Sequence, residues 1–221
     1  MTFGERLNEV RERIEKACAR AHRDAASVKL LAVTKVFGPE VILEAYSEGL
    51  REFGENYVQE MERKASAVAH LADARFHLIG HLQSNKTKKA AQLFASIDTV
   101  DTPKLAARLD AEGKRLDVMI EVKLSEEESK SGADASEIGA IAEAVRSTKN
   151  LNLRGLMTVP PWSEDAELSR PYFARLAALA AEHKIPELSM GMSHDLETAI
   201  EEGATWVRVG TALFGRRKKP G

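Results

Sequence analysis

Lys35 closes the run Val28-Lys29-Leu30-Leu31-Ala32-Val33-Thr34-Lys35, just ahead of the turn Phe37-Gly38-Pro39. An aliphatic, β-branched run stopped by Gly-Pro reads as a strand, which leaves an amine at its C-terminal end. Among apolar neighbours such an amine loses hydration, its pKa falls, and more of it is the neutral nucleophile. That is what a Schiff-base lysine needs. A lysine that only caps a strand and points to water fits the same eight residues. Further chemistry gathers late in the chain, where Ser193 follows Leu188–Met192 and Arg208-Val209-Gly210-Thr211 leads into a helical turn. Backbone N–H groups at Gly210 and Thr211 suit a dianion, and Ser193 can donate a hydroxyl. Arg208, two residues before Gly210, shares a face with it under strand alternation. A guanidinium in an enclosed mouth is costly unless it has a partner.

These residues need a scaffold that brings chain-distant strand ends together. Phe3, Leu7, Val10, Ile14 and Ala17 or Cys18 recur at helical spacing, predicting an amphipathic helix over 2–23. Strands are then expected at 28–35, 51–56, 75–80, 96–100, 116–123, 151–159, 188–192 and 205–209. Helical patterns separate them, one opened by Pro39 and another by Thr102-Pro103 as N-cap and first turn. Eight strands alternating with helices predict a single (β/α)8 TIM-type barrel with an extra N-terminal helix. Little chain follows the eighth strand, so the N-terminal helix is expected to cover that part of the wall. A packing face is the main reading of its stripe, and a dimer contact the alternative.

With 221 residues, 43% apolar and 30% charged, the chain suits one domain spanning 1–221. The net charge of −2 gives no electrostatic reason to expect nucleic acid or anionic membrane. One cysteine, Cys18, excludes an intramolecular disulfide, and six scattered histidines make a poor metal set. The N-terminus lacks a signal-peptide core, and Glu5, Glu9, Glu12 and Glu15 argue against a transit peptide. A cytoplasmic protein is expected. The tail Arg216-Arg217-Lys218-Lys219 reads as solvated and flexible.

In a barrel the C-terminal strand ends form one active face, and the segments after strands seven and eight commonly hold phosphate. Lys35, Asn56, residues 80–86, Lys123, Thr158, Ser193 and residues 208–211 then share one mouth. Each has a plainer explanation: Gly80 and Gly210 as turn residues, Asn56 as a helix cap, His77 as a satisfied core histidine. A phosphate cup, an amine and a buried arginine together suggest pyridoxal phosphate. Its aldehyde would meet Lys35, its phosphate Ser193, Gly210 and Thr211, and its ring nitrogen Arg208.

The chain resembles the pyridoxal phosphate homeostasis protein family, whose fold matches the barrel domain of bacterial alanine racemase. The likeness covers nearly the whole chain and is carried by LLAVTK at 30–35, FGENYVQE at 53–60 and FHLIGHLQSNK at 76–86. It continues in ESKSG at 128–132, GLMTVPP at 155–161, LSMGMSHD at 188–195 and VRVGTALFG at 207–215. The resemblance implies that Lys35 is the cofactor lysine, that Ser193, Gly210 and Thr211 hold the phosphate, that Arg208 meets the ring nitrogen, and that Asn56 lies beside the cofactor. Lys123 departs from the pattern, standing where an asparagine is expected. Three functions follow as expectations. The leading one is a carrier that holds, buffers and delivers pyridoxal phosphate, with apo-enzymes as recipients, acting as a monomer or weak homodimer. The others are an amino-acid racemase-like enzyme and a cofactor-free isomerase of a phosphorylated metabolite. Tyr46, Tyr57 and Tyr172 are read as lying in or beside helices, which leaves no tyrosine base at a strand end. Lys130, in the Ser-Lys-Ser-Gly loop after strand five, is a candidate second amine for the aldehyde.

Overall fold

The computed structural model describes residues 1–125 and 131–215. Lys130 and the basic tail lie outside the described residues. Eight parallel strands close into a barrel in chain order: β1 (Lys29–Val33), β2 (Glu52–Glu55), β3 (Arg75–Leu78), β4 (Ser96–Val100), β5 (Leu116–Glu121), β6 (Leu151–Met157), β7 (Glu187–Met192) and β8 (Trp206–Val209). Helices alternate with them: α1 (Phe3–Arg20), α2 (Pro39–Ser47), α3 (Val58–Val68), α4 (Thr87–Leu93), α5 (Pro103–Asp110), α6 (Ile138–Arg146), α7 (Arg170–Glu182), α8 (Leu196–Glu201) and the single turn α9 (Thr211–Phe214). The expected barrel with its extra N-terminal helix is what the chain forms.

Two apolar layers follow from the strand alternation. Alternate strand residues such as Ala32, Phe53, Leu78, Ile97, Val118, Ile120, Val207 and Val209 join the helices in one continuous outer core. The barrel interior holds only a small second cluster of Leu31, Met119, Met157 and Trp206. Polar residues take much of the interior beside it, including buried His77, Asp98, Glu121, Ser189 and Arg208. This polar lumen is what makes the mouth a site.

The N-terminal helix packs on the barrel wall beside α8 and α9, as expected for its stripe. Thr2 and Glu5 form a reciprocal capping box, and Phe3, Leu7, Val10, Ile14, Ala17 and Cys18 are buried on one stripe. Phe3 stacks on Phe214 at 5.5 Å, and Arg6 donates to the Leu213 carbonyl of α9. Arg23 donates to the carbonyls of Ile200 at 2.6 Å and Ala204 at 2.8 Å, anchoring the helix end beside β8.

The strands are shorter than the sequence pattern suggested. β1 ends at Val33, β2 at Glu55, β3 at Leu78, β5 at Glu121 and β6 at Met157, so Lys35, Asn56, Gly80, Lys123 and Thr158 belong to the mouth loops. A 3-10 turn, Ser84–Lys86, precedes α4, and another, Ala166–Ser169, leads into α7.

Candidate functional site

Barrel closure makes β1 and β8 neighbours, with Leu31 opposite Arg208 and Ala32 opposite Val209. Lys35 therefore stands beside the cup at Gly210 and Thr211, and does not face it across the mouth. Closure of the expected eight-stranded barrel is what makes the first and last strands adjacent. Lys35 is half-buried in the turn that follows β1. Gly210 lies close against β1: a Cβ there would sit 3.3 Å from the Val33 carbonyl oxygen.

The cup itself joins β7 to α9. Ser193 Oγ accepts a hydrogen bond from the Ala212 N–H at 3.2 Å, in the first turn of α9. Arg13 of α1 donates to the Ser193 carbonyl at 3.0 Å and forms a bidentate pair with Glu197 at 2.6 and 2.7 Å. The N-terminal helix thus braces the loop that carries the serine. Asp195, buried, accepts from the Met192 N–H at 2.7 Å and fixes the start of the same loop. Thr211 is exposed at the rim.

Arg208 points into the lumen on the same face as Trp206. It donates to Ser189 Oγ at 2.9 Å and to the Thr158 carbonyl at 2.8 Å. Thr158 Oγ1 in turn donates to the Val122 carbonyl at 2.8 Å, so the ends of β5 and β6 share in holding the guanidinium. Both acceptors on Arg208 are neutral, and among the described residues it makes no ion pair. Burial pushes its pKa down, while the more distant charges of Asp195, Asp98 and Glu121 pull it up.

Asn56, half-buried after β2, packs its backbone against Gly80, where a Cβ would fall 2.2 Å from the Asn56 carbonyl oxygen. Gly80 is glycine because two mouth loops touch there. His77 belongs to the opposite half of the lumen. Its Nδ1 lies 3.0 Å from Asp98 and its Nε2 2.8 Å from Glu52, which makes it a satisfied core histidine. Tyr57 lies beside a helix as expected, at the N-cap of α3, and this also brings it to the mouth. It lies two residues beyond β2, exposed in a mouth loop, and among the described residues nothing holds its hydroxyl.

One residue passed over in the sequence stands out. Glu121 ends β5 facing inward on the parity of Met119, is nearly buried, and its Oε2 has no hydrogen-bond partner. Burial pushes its pKa up to about 7, against the pull of Arg208 and with the help of Asp101. It lines a cavity of about 190 Å³ with Lys123, Ser125, Ser131 and Val159. In the closed eight-stranded barrel β5 lies across the lumen from β1.

The residues present fit pyridoxal phosphate. Ser193 offers a hydroxyl beside the first N–H groups of α9, as a dianion would need, Gly210 lets the backbone run close to β1, and Arg208 is a buried cation that among the described residues has only neutral partners. A larger cavity of about 670 Å³ opens at the other end of the barrel among Arg75, Lys114, Asp117 and Asn152. That end lacks all of these features.

Residues 6–218 match the family described as alanine racemase, N-terminal domain. A pyridoxal phosphate homeostasis protein of Aquifex aeolicus is 44% identical over 99% of this chain and 100% of its own length. Its namesake in Escherichia coli K12 is 41% identical over 96% of this chain and 95% of its own. The structure of PipY from Synechococcus elongatus, solved with PLP bound, superimposes with a TM-score of 0.85 at 37% identity, covering 97% of this chain and all of PipY. Alanine racemase of Clostridium difficile matches at a TM-score of 0.68 and 12% identity, over 95% of this chain and 57% of the racemase, a likeness of fold alone.

Proposed function

The chain belongs to the pyridoxal phosphate homeostasis proteins, within the alanine racemase N-terminal domain family, and from that premise we propose that it holds, buffers and delivers pyridoxal phosphate without efficient catalysis of its own. We read residues 1–221 as one domain, acting in the cytoplasm as a monomer or weak homodimer. Its recipients are apo-enzymes, and neither nucleic acid nor membrane is a partner. Among the described residues no helix is long and apolar enough to cross a membrane.

When bound, pyridoxal phosphate supplies an aldehyde that bonds reversibly to an amine, and a ring that can withdraw electrons. Lys35 offers the amine. Ser193, Gly210 and Thr211 receive the dianion, Asn56 lies alongside, and Arg208 donates a hydrogen bond toward the ring nitrogen. The observation that carries this reading is the Ser193–Ala212 pairing one strand away from Lys35, with Arg208 beneath it. A permanently cationic guanidinium disfavours a second positive charge on the nitrogen beside it. Electron withdrawal by the ring is weaker for that reason. Proton transfer also needs a base held in reach of the reacting carbon, and among the described residues nothing orients the Tyr57 hydroxyl.

The alternative, a racemase-like enzyme, has one observation in its favour: Glu121 at the end of β5, across the barrel from β1, a buried carboxyl that ionises near neutrality. One experiment separates the two readings. The loaded protein is incubated with each L-amino acid while D-isomer formation, transamination and decarboxylation are followed, and in parallel with an apo-enzyme whose activity reports delivery. The carrier reading expects delivery, and turnover far below about 1 per second. Turnover at that rate or faster, abolished in Lys35→Ala, would establish the enzyme instead.

A further inference from the structure

Behind the Lys35 turn lies a cluster of three charged side chains that the function above does not use. Glu55 at the end of β2 is wholly buried, and Lys64 and Glu60 of α3 are nearly so. The Lys64 ammonium spends its three protons on the Thr34 carbonyl at 3.0 Å, Glu55 Oε1 at 2.7 Å and Glu60 Oε1 at 3.1 Å. Thr34 Oγ1 also donates to Glu55 Oε1, at 2.6 Å. Glu60 Oε1 accepts from the Val36 N–H. The cluster therefore grips the carbonyl of the residue before Lys35 and the N–H of the residue after it.

Val36 has φ 67°, in the left-handed region. For a β-branched residue that conformation is an outlier. Its side chain is 45% exposed, so burial of the side chain does not hold the backbone there. Two hydrogen bonds fix the turn, that from its N–H to Glu60 and that from the Phe37 N–H to the Thr34 carbonyl at 3.2 Å. The tight reversal they create comes immediately after Lys35 and keeps the lysine at the mouth, ahead of the start of α2 at Pro39. Burying three charges is expensive, and an apolar cluster of similar volume commonly serves packing as well or better. Here three of the cluster's hydrogen bonds converge on residues 34 and 36.

We propose that the Glu55–Glu60–Lys64 cluster positions Lys35, with Glu60 as the side chain that holds the strained Val36 turn. The proposal rests on Lys35 being the cofactor lysine. Loss of the Glu60 acceptor lets Val36 return to negative φ, swings Lys35 away from the cup, and speeds cofactor release.

The test measures the release rate of pyridoxal phosphate from the loaded protein by stopped-flow absorbance, with borohydride trapping of the wild type as reference. Glu60→Ala should release roughly tenfold to a hundredfold faster, the range for losing a hydrogen bond to a charged group. Glu60→Asp keeps the charge for Lys64 but loses reach, so it should fold as the wild type does and still release several times faster. Glu60→Gln retains an acceptor for the Val36 N–H and should restore release to within about threefold. In a Val36→Gly background, where left-handed φ carries no penalty, the effect of Glu60→Ala should shrink to less than about threefold. Wild type trapped on Lys35 with unchanged release in Glu60→Ala and Glu60→Asp overturns the positioning role alone. An equally large effect of Glu60→Ala with valine or glycine at 36 also overturns it, leaving the cluster as scaffold. Trapping of the wild type on another lysine overturns this inference and the cofactor assignment together.

Discussion

Removing the cup's hydroxyls should cost affinity for the phosphorylated cofactor and leave the unphosphorylated one nearly untouched. Ser193→Ala deletes the oxygen that accepts from the Ala212 N–H at 3.2 Å, and Thr211→Ala deletes a hydroxyl at the exposed first residue of α9. A hydrogen bond to a charged group contributes about 1.5–3 kcal/mol, or roughly tenfold to a hundredfold in affinity. The braced, half-buried Ser193 belongs in the upper part of that range. Thr211, open to water that competes for the anion, belongs near the lower end. The loop itself should persist in Ser193→Ala, because Arg13 holds the Ser193 carbonyl and Asp195 the Met192 N–H, both through main-chain atoms. Equilibrium titration with pyridoxal phosphate and with pyridoxal, followed by absorbance, separates the contributions. The double variant is expected to lose about a hundredfold or more for the first ligand and less than about threefold for the second. Equal losses for both ligands would refute the phosphate assignment and leave Ser193 and Thr211 as structural caps.

Two pH-dependent effects follow from buried groups. Burial alone would lower the His77 pKa, but Asp98 and then Glu52 outweigh it and raise it to about 9. The stabilisation from its charged form is complete below the unfolded value near 6.5 and is lost as pH rises through about 9. Urea unfolding should therefore show a fall on the order of 2–3 kcal/mol across that window, much reduced in Asp98→Asn, and a flat profile in the wild type would contradict the pairing. Glu121 is raised to about 7, so its contribution is complete below about 4.5 and lost as pH rises through 7. Glu121→Gln should accordingly be more stable than the wild type at pH 8 by up to about 2–3 kcal/mol and nearly equal at pH 5, and the reverse order at pH 8 would argue against a buried, unpartnered carboxyl.

The barrel was legible because strand and helix periods alternate eight times, and the α1 stripe announced a helix with a partner to cover. Lys35 and the Gly210–Thr211 turn were legible from position, since strand ends in this architecture form one face. Three things were hidden, each for a physical reason. Glu60 and Lys64 are spaced i, i+4 and read as an ordinary solvated pair on a helix face, yet the helix turns that face inward against the Lys35 loop. Glu121 sits in a strand whose pattern alternates only weakly, Leu-Asp-Val-Met-Ile-Glu, so its inward direction emerges only from the register with β6. Arg13 was hidden likewise, a polar residue on α1 that proves to brace the Ser193 loop.

The account turns on which amine takes the cofactor. The loaded protein is reduced with borohydride under native conditions, digested, and mapped by mass spectrometry. A pyridoxyl adduct on Lys35, absent from a Lys35→Ala variant that still unfolds cooperatively, is the predicted result. An adduct found in native protein only on another lysine, or one undiminished in Lys35→Ala, would contradict the site at its centre.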